Sequence, residues 1–327
     1  MTRTTKQQII PIYQKIQQIK KEVAKAVVGQ ETIVDGIIRG LLADGHILIE
    51  GIPGIAKTLI ARAIATTIRC DFNRIQFTVD LLPTDITGIT AYDKNRGFYT
   101  VKGPIFARIV MADEINRAPP KTQSALLEAM QENQVTIGKK TYGIGKPFFV
   151  IATENSFESA GTYPLPDAQT DRFLFKVLID YPNEKEEKLI LDTNITLAKF
   201  EDFKIKGVIS ANDINRFQKI VQNVYTEEKI KDYLVRIVST TRNTEKVDLK
   251  YGRYIQQGAS PRASIGLYIA SKAEAVLRGH SYVTPQHVKN VAADILRHRI
   301  RLTYEAQAEG ITPEVVIQDI LAKVKVP

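Results

Sequence analysis

One short segment, Gly51-Ile-Pro-Gly-Ile-Ala-Lys57-Thr58, limits the possible folds of this chain more than any other feature. It directly follows HILIE at 46–50, an apolar run typical of a buried strand, and it precedes LIARAIATTI at 59–68, a helical pattern. Glycines between a strand and a helix let backbone amides and the positive helix end point at one anion. The segment therefore predicts a phosphate-binding loop in an α/β domain.

The chemistry of such a loop assigns a role to most of its residues. Lys57 is expected to reach the β- and γ-phosphate oxygens, and the Thr58 hydroxyl is expected to ligate Mg²⁺. The predicted nucleotide contacts are Gly51, Pro53, Gly54, Ile55, Ala56, Lys57, Thr58 and Leu59. Ala56 stands where glycine is usual, and a β-carbon is tolerable there if φ is negative, so we expect a negative φ at Ala56.

Two acids end a second apolar run, Ile109-Val-Met-Ala-Asp113-Glu114. Asp113 can hold Mg²⁺ through water, and Glu114 can orient and polarise an attacking water molecule. Acids often end strands, so this pattern alone is weak. Together with the phosphate loop it predicts binding of ATP with Mg²⁺ and hydrolysis of the ATP.

The first half of the chain alternates short apolar runs with amphipathic stretches, as a parallel sheet flanked by helices does. Five strands are predicted, at 46–50, 74–78, 109–112, 148–152 and 173–178, with helices at 58–68 and 120–132. We therefore predict an αβα sandwich of the P-loop NTPase type with a five-stranded parallel sheet. Two Gly- and Lys-containing hairpins, at 89–101 and 135–147, are expected to project from it.

After Pro182 the pattern becomes that of long amphipathic helices. Several begin with a capping Ser or Thr, as at Ser260-Pro261 and Thr284-Pro285, where proline occupies the first turn. The prediction is a nucleotide-binding domain at 1–182 and a smaller all-α lid domain at 183–327.

Composition excludes several classes of protein. Cys70 is the only cysteine, so an internal disulfide is impossible, and no apolar run approaches the about 20 residues that cross a bilayer. We expect no membrane insertion and a cytoplasmic location. The net charge of +9 is spread evenly, with 22 Lys/Arg and 18 Asp/Glu in residues 1–180 and 23 and 18 in the rest. Such a diffuse excess makes nucleic acid an improbable partner, and we expect the basic run at 297–301 to be a solvated helix end.

Beyond these local patterns, nearly the whole chain resembles the MoxR family of AAA+ ATPases. The resemblance is carried by VVGQ at 27–30, the loop at 51–58, LLPTDITG at 81–88, GPIFARIVMADEINRAPPKTQSALLEAMQE at 103–132, ATEN at 152–155, YPLPDAQTDRF at 163–173 and GASPRA at 258–263. The order and spacing of these segments make the resemblance specific.

The resemblance implies roles that spacing alone does not give. Asn155 matches the polar sensor between the γ-phosphate and the attacking water, and Arg172 matches the arginine finger offered to a neighbouring subunit. Arg262 matches the second sensor, which contacts the nucleotide from the lid, and Val28 and Gly29 match the segment that packs against adenine. Without the family, a turn Asn, a local Asp171–Arg172 contact and a surface arginine would be the alternatives.

The same resemblance implies a homo-oligomeric ring, a hexamer, because Arg172 acts in trans. It also implies a chaperone-like activity that remodels or matures partner protein complexes, including proteins with von Willebrand factor A domains. The hairpins match family insertions that face the central pore or a partner. Three other functions stay open: a nucleotide-dependent assembly switch with little turnover, a chelatase-type motor subunit and a nucleic-acid motor.

Overall fold

A computed structural model describes residues 4–52, 54–95, 97–155, 161–193 and 199–327. The strands are β1 (Ile47–Gly51), β2 (Phe72–Gln76), β3 (Gly88–Asp93), β4 (Gly97–Lys102), β5 (Ile109–Asp113), β6 (Gln134–Ile137), β7 (Lys140–Gly143), β8 (Phe149–Glu154), β9 (Phe175–Ile179), β10 (Ile255–Gln257) and β11 (Arg301–Leu302).

The α-helices are α1 (Lys6–Val23), α2 (Glu31–Leu42), α3 (Lys57–Thr67), α4 (Pro83–Thr87), α5 (Pro120–Glu132), α6 (Asp167–Thr170), α7 (Glu184–Thr193), α8 (Ala211–Gln222), α9 (Glu228–Arg242), α10 (Pro261–Leu277), α11 (Pro285–Leu296), α12 (Tyr304–Ala308) and α13 (Pro313–Lys323). Short 3₁₀ turns lie at Pro104–Phe106, Ile115–Arg117, Phe200–Phe203, Thr244–Lys246 and Gly252–Tyr254. Among these helices, none is both long and apolar enough to span a membrane.

The chain divides into two compact units. The sheet unit comprises Lys15–Phe173 and Val177–Arg216, and the helical unit comprises the N-terminal residues up to Gln14, Leu174–Lys176 and Phe217–Pro327. The single boundary predicted after Pro182 differs from this division, because residues 183–216 stay with the sheet unit. Contacts with α3 explain why: Val208 N donates to Thr67 O at 2.7 Å, and Arg62 pairs with Glu201 at 2.9 Å.

The sheet unit contains the predicted five-stranded sheet, in the order β2-β5-β8-β1-β9. The pairs β2–β5, β5–β8 and β1–β8 are parallel. All of β5 is buried, which is why the four residues before Asp113 are apolar. The fold class predicted from the sequence, an αβα nucleotide domain followed by a helical lid, is confirmed.

The order of the strands also locates the site. The chain leaves β1 for the far edge strand β2, while β8 and β9 are the neighbours of β1. In open parallel sheets, ligands bind outside the carboxyl ends of the strands where the strand order reverses. The loops after β1, β5 and β8 all lie at that end.

Both hairpins are present. Strands β3 and β4 pair from Gly88–Lys102 to Asp93–Gly97, and β6 and β7 pair from Gln134–Gly143 to Ile137–Lys140. The first hairpin exposes large apolar side chains, with Tyr92 at 64% and Phe98 at 79% of their surface, packed on each other at 5.1 Å between ring centroids.

Candidate active site

The loop between β1 and α3 has two positions that require glycine. At Gly51 a β-carbon would lie 2.3 Å from Ile179 Cγ2 and 2.4 Å from the Ile179 carbonyl oxygen, so no side chain fits. Gly54 has φ +84° and open space around it. Ile55 is buried, and Pro53 lies outside the described residues. The loop therefore offers an exposed backbone at Gly54, as close approach of a phosphate requires.

The prediction of a negative φ at Ala56 is wrong, since Ala56 has φ +56° and ψ +23°. It directly precedes α3, where the chain turns from the loop into the helix through a left-handed residue. Glycine adopts this conformation without steric cost, whereas a residue with a β-carbon loses about 1–2 kcal/mol. Because Ala56 is exposed, its methyl group is accommodated, and the cost is a strained backbone conformation.

Lys57, Thr58 and Leu59 form the first turn of α3, and all three are partly buried. Lys57 Nζ donates to the carbonyl oxygens of Gly51, at 2.5 Å, and Glu154, at 3.5 Å. Burial lowers the pKa of Lys57, and the nearby carboxylates, those of Asp113 and Glu114 first, oppose that shift. The ammonium group therefore lies between the loop, the end of β8 and the acid pair.

Asp113 is the last residue of β5 and is 9% exposed. Arg74 contacts its Oδ2 atom through two nitrogens, Nε at 3.0 Å and Nη2 at 2.6 Å. Thr153 donates its hydroxyl proton to Oδ1 at 2.7 Å. Both carboxylate oxygens of the predicted magnesium residue thus have partners within the chain.

Glu114 directly follows the strand and has φ +56°, a left-handed conformation that is strained for glutamate. Its amide donates to Thr153 Oγ1 at 2.8 Å. Its Oε2 atom accepts from Gln76 Nε2 at 2.9 Å and lies 3.2 Å from Arg117 Nε. These contacts hold the carboxylate on the β2 side of the site.

Sequence reasoning missed Arg74, Gln76 and Thr153, which join the two acids into one network. Gln76 pairs in register with Asp113, and its Oε1 atom accepts from Arg74 Nη2 at 2.5 Å. A signal existed, because Arg74 and Gln76 are polar and two apart on one face of a predicted strand. The sequence does not show that this strand lies beside the acids.

Asn155 follows β8 directly and is 5% exposed. Its carbonyl oxygen accepts from Asn116 Nδ2 at 3.3 Å, which links it to the segment after Glu114. Asn155 therefore lies at the same end of the sheet as Lys57 and the acid pair.

Val28 and Gly29 precede α2, and Gly29 has φ +70°. The Glu186 side chain packs on Gly29 so closely that a β-carbon there would lie 2.5 Å from Glu186 Cδ. Gln30 Nε2 donates to Asp180 O at 3.4 Å, one residue after the Ile179 carbonyl that faces Gly51. The segment predicted to contact adenine therefore lies next to the chain that borders the phosphate loop.

Arg172 is exposed and follows the short helix α6. Its Nη1 atom donates to Leu127 O of α5 at 3.1 Å. A cavity of about 390 Å³ lies beside it, lined by Ser124, Leu127, Glu128, Gln131, Glu132, Gln169 and Arg172.

Arg262 is the second residue of α10 in the helical unit. It is exposed, and its amide donates to the capping Ser260 Oγ at 3.3 Å. Its guanidinium thus belongs to the first turn of a long helix.

The residues at the site suit magnesium. Carboxylate and hydroxyl oxygens, from Asp113 and Thr58, are the hard ligands that Mg²⁺ prefers. No group of three or more His, Cys, Asp or Glu gathers in the described ranges. Phosphate oxygens and water would supply the other ligands. That division of ligands is usual where Mg²⁺ accompanies a nucleotide.

These features, a phosphate loop after β1, an acid pair after β5 and a polar residue after β8, are those of a P-loop ATPase. The model of the ATPase family associated with various cellular activities (AAA) matches residues 46–175, and that of the AAA lid domain matches residues 252–320. The protein is an ATPase of the AAA+ class.

Individual relatives refine this class. Chaperone MoxR1 of Mycobacterium tuberculosis is 45% identical over 309 residues, which cover 94% of this chain and 81% of that protein. Protein MoxR of Methylorubrum extorquens is 28% identical, with 91% of each chain covered. A crystal structure assigned to an ATPase from Cytophaga hutchinsonii superposes with a TM-score of 0.90 at 42% identity, covering 98% of this chain and 97% of that one. The chain belongs to the MoxR family of AAA+ ATPases.

Proposed function

We propose that this ATPase hydrolyses Mg²⁺-bound ATP in a homo-oligomeric ring, a hexamer, and uses the energy to remodel or mature partner protein complexes. One observation carries the proposal: Thr153 ties Asp113 and Glu114 together at the end of the sheet where Lys57 leaves the phosphate loop. Because ATP is the substrate, we propose a cytoplasmic location.

The side chains at this end of the sheet supply binding and catalysis. Lys57 exchanges its carbonyl partners for the β- and γ-phosphate oxygens, and the backbone N–H groups from Gly54 to Leu59 hold the phosphates. Glu114 accepts a proton from the attacking water, whose oxygen bonds to the γ-phosphorus as the bond to the bridging oxygen of ADP breaks. Asn155 orients that water, and Val28 and Gly29 contact the adenine.

Thr58 and Asp113 would hold the magnesium ion. When bound, it would neutralise charge on the phosphate oxygens. Arg74 contacts Oδ2 of Asp113, so a bound ion, or the water through which Asp113 holds it, would share this carboxylate with a guanidinium.

Two arginines are proposed to act beyond the acid pair. Arg172 reaches the γ-phosphate of a neighbouring subunit, where a guanidinium is worth about 10³–10⁵ in rate. Arg262 contacts the nucleotide of its own subunit from the first turn of α10. The exposure of Arg172 supports the first assignment, because a finger must be free to leave its own α5.

The client is proposed to be a protein complex. The relative named Chaperone MoxR1 supports this class of activity. The exposed Tyr92 and Phe98 of the first hairpin give an apolar surface on which an unfolded or partly folded segment can bind. Partners with von Willebrand factor A domains are the first to test.

Two variants test the hydrolysis. Glu114→Gln is expected to abolish phosphate release while binding of a fluorescent ATP analogue is retained, and Lys57→Ala is expected to lose the binding. Unchanged turnover in Glu114→Gln removes the catalytic assignment. Unchanged binding in Lys57→Ala removes the site.

A second candidate, an assembly switch with little turnover, is favoured by one observation. Glu114 Oε2 lies in contact with both Gln76 and Arg117, so its carboxylate is occupied within the chain. Phosphate release measured across protein concentrations that form rings distinguishes the two functions, because a switch stays slow at every concentration.

A further inference from the structure

The basic run at 297–301 is not the solvated helix end that its sequence suggests. Arg297 exposes only 10% of its side chain and pairs with Asp294 and Glu314, each at 2.7 Å. Its Nη1 atom also donates to Lys176 O. A guanidinium that binds two carboxylates and a carbonyl oxygen stabilises the structure of the helical unit.

Arg299 binds the same short segment of chain. Its Nη1 atom donates to Leu174 O at 3.2 Å and to Ile295 O at 2.5 Å. Leu174 and Lys176 are two residues apart, so their carbonyls point to the same side of an extended chain. The two arginines together fix the backbone of Leu174–Lys176, which clusters with the helical unit.

This fixed segment begins two residues after Arg172. Between them stands Phe173, which is fully buried in the core of the sheet unit. The amides of Arg172 and Phe173 donate to Gln169 O and Thr170 O at 3.2 Å and 3.0 Å. The backbone at Arg172 is therefore constrained by its own hydrogen bond and by the buried residue that follows it.

The Leu174 side chain packs against the helix that carries Arg262. A β-carbon at Gly266 would lie 3.3 Å from Leu174 Cδ1, so a larger residue there would require Leu174 to shift by a few tenths of an ångström. Gly266 lies four residues after Arg262, about one helical turn.

We propose that Arg297 and Arg299 are positioning residues for Arg172. They fix the chain that directly follows Arg172, and this fixed chain keeps Arg172 where it can be presented to the neighbouring subunit. Loss of either arginine therefore impairs hydrolysis in the neighbour and leaves the subunit's own nucleotide site intact. The inference rests on the proposed trans role of Arg172.

Mixed rings separate an effect in trans from an effect in cis. Glu114→Gln subunits cannot hydrolyse but carry an intact Arg172, and Arg172→Ala subunits have the reverse defect. In equal mixtures, about a quarter of the sites combine an intact pocket with an intact finger, since each subunit contributes to two different interfaces. Arg299→Gln is mixed with Glu114→Gln in the same way. Arg301→Gln is the matched control, because Arg301 is an exposed arginine of the same run.

Arg299→Gln alone is expected to lower kcat about tenfold or more, because misplacing a catalytic group by about 1 Å is costly. The KM for ATP and the ADP affinity should stay unchanged. Mixing with Glu114→Gln should raise its turnover as it does for Arg172→Ala, and Arg299→Lys, which keeps a donor, should lose less. Arg301→Gln should match the parent chain.

Three results overturn the inference. If Arg172→Ala recovers on mixing and Arg299→Gln does not, Arg299 acts on its own site and only the inference fails. Unreduced kcat in Arg299→Gln overturns it as well. If Arg172→Ala itself does not recover, the proposed trans role fails and the inference falls with it. Thermal unfolding and sedimentation with ATP verify folding and ring formation, and Arg299→Lys serves if the glutamine variant does not fold.

Discussion

Arg74 contacts Asp113 through two nitrogens, with Nε at 3.0 Å and Nη2 at 2.6 Å from the same carboxylate oxygen. The arginine is about half exposed, whereas Asp113 is nearly buried. A guanidinium thus offsets the negative charge of the acid that is proposed to hold magnesium, which weakens the attraction of that acid for the ion. Arg74 also contacts Gln76, which contacts Glu114, so displacement of Arg74 would alter the hydrogen-bond network of both acids.

Replacement of Arg74 by Gln should therefore raise the affinity of the site for Mg²⁺. Removing one positive charge beside Asp113 is worth on the order of 1 kcal/mol at a partly exposed site, or several-fold in affinity for a divalent cation. Titrating Mg²⁺ into the chain with a fluorescent ADP analogue should give a half-saturating concentration lowered several-fold. Arg62→Gln, at an exposed pair with Glu201, is the control. A raised concentration would show that Arg74 mainly orients Asp113.

The hydroxyl group of Thr153 should contribute both to the stability of the protein and to ATP turnover. It is 1% exposed, donates to Asp113 and accepts from the Glu114 amide. Thr153→Val keeps the shape but leaves a buried carboxylate oxygen and an amide without partners, at about 1–3 kcal/mol in the free energy of unfolding. Turnover should fall at least tenfold because Glu114 loses its backbone anchor, while ADP binding persists. Thr153→Ser should keep most of the stability, measured by urea unfolding, and most of the turnover, measured in steady-state assays. Failure of the serine variant would indicate that the methyl group is the important part.

The contrast between Thr153 and Asp113 shows what the sequence could predict. The phosphate loop and the acid pair are continuous in sequence and carry their own strand and helix patterns, so local chemistry was enough to find them. Thr153, Arg74 and Gln76 reach the acids from neighbouring strands. These contacts depend on the strand order β2-β5-β8 and on the register that pairs Gln76 with Asp113. The alternation of side chains along a strand specifies neither the order nor the register.

Arg297 and Ala56 illustrate two other limits. A basic run has the same composition whether it is solvated or paired, so only tertiary contacts show that Arg297 binds Asp294 and Glu314. At Ala56 the left-handed conformation is set by the turn into α3, and an alanine gives no sign of a positive φ. The prediction failed there because residue type alone does not determine backbone geometry.

Ala56→Gly should relieve that strain. Glycine removes a cost of about 1–2 kcal/mol in the folded state and adds roughly 0.4–1 kcal/mol of unfolded-chain entropy. The free energy of unfolding should therefore stay unchanged or rise by up to about 1.6 kcal/mol, with nucleotide binding retained. Ala125→Gly, inside α5 where φ is helical, is the matched control and should cost about 1 kcal/mol. Equal losses in urea unfolding of the two variants would contradict a strained Ala56.

The stability of the helical unit should fall in acid because of His287, which is 3% exposed. Its Nδ1 atom accepts from the Thr284 amide at 3.0 Å, and its Nε2 atom lies 2.9 Å from His280 Nδ1, so the neutral ring satisfies both partners. Burial first, and then the adjacent His280, lowers the pKa of His287 to about 4.

Since this folded-state pKa lies below the ordinary 6.5, the unfolded chain binds the proton first as the pH falls. The stabilisation is complete above about pH 6.5 and is lost between there and about pH 4, on the order of 2 kcal/mol. Burial also lowers the pKa of His46 in the sheet unit, so the comparison must be between the parent chain and His287→Gln, which keeps an acceptor for the Thr284 amide. Urea unfolding at pH 7.5 and 5 should show a smaller loss in the variant, and identical losses would remove His287 as the cause.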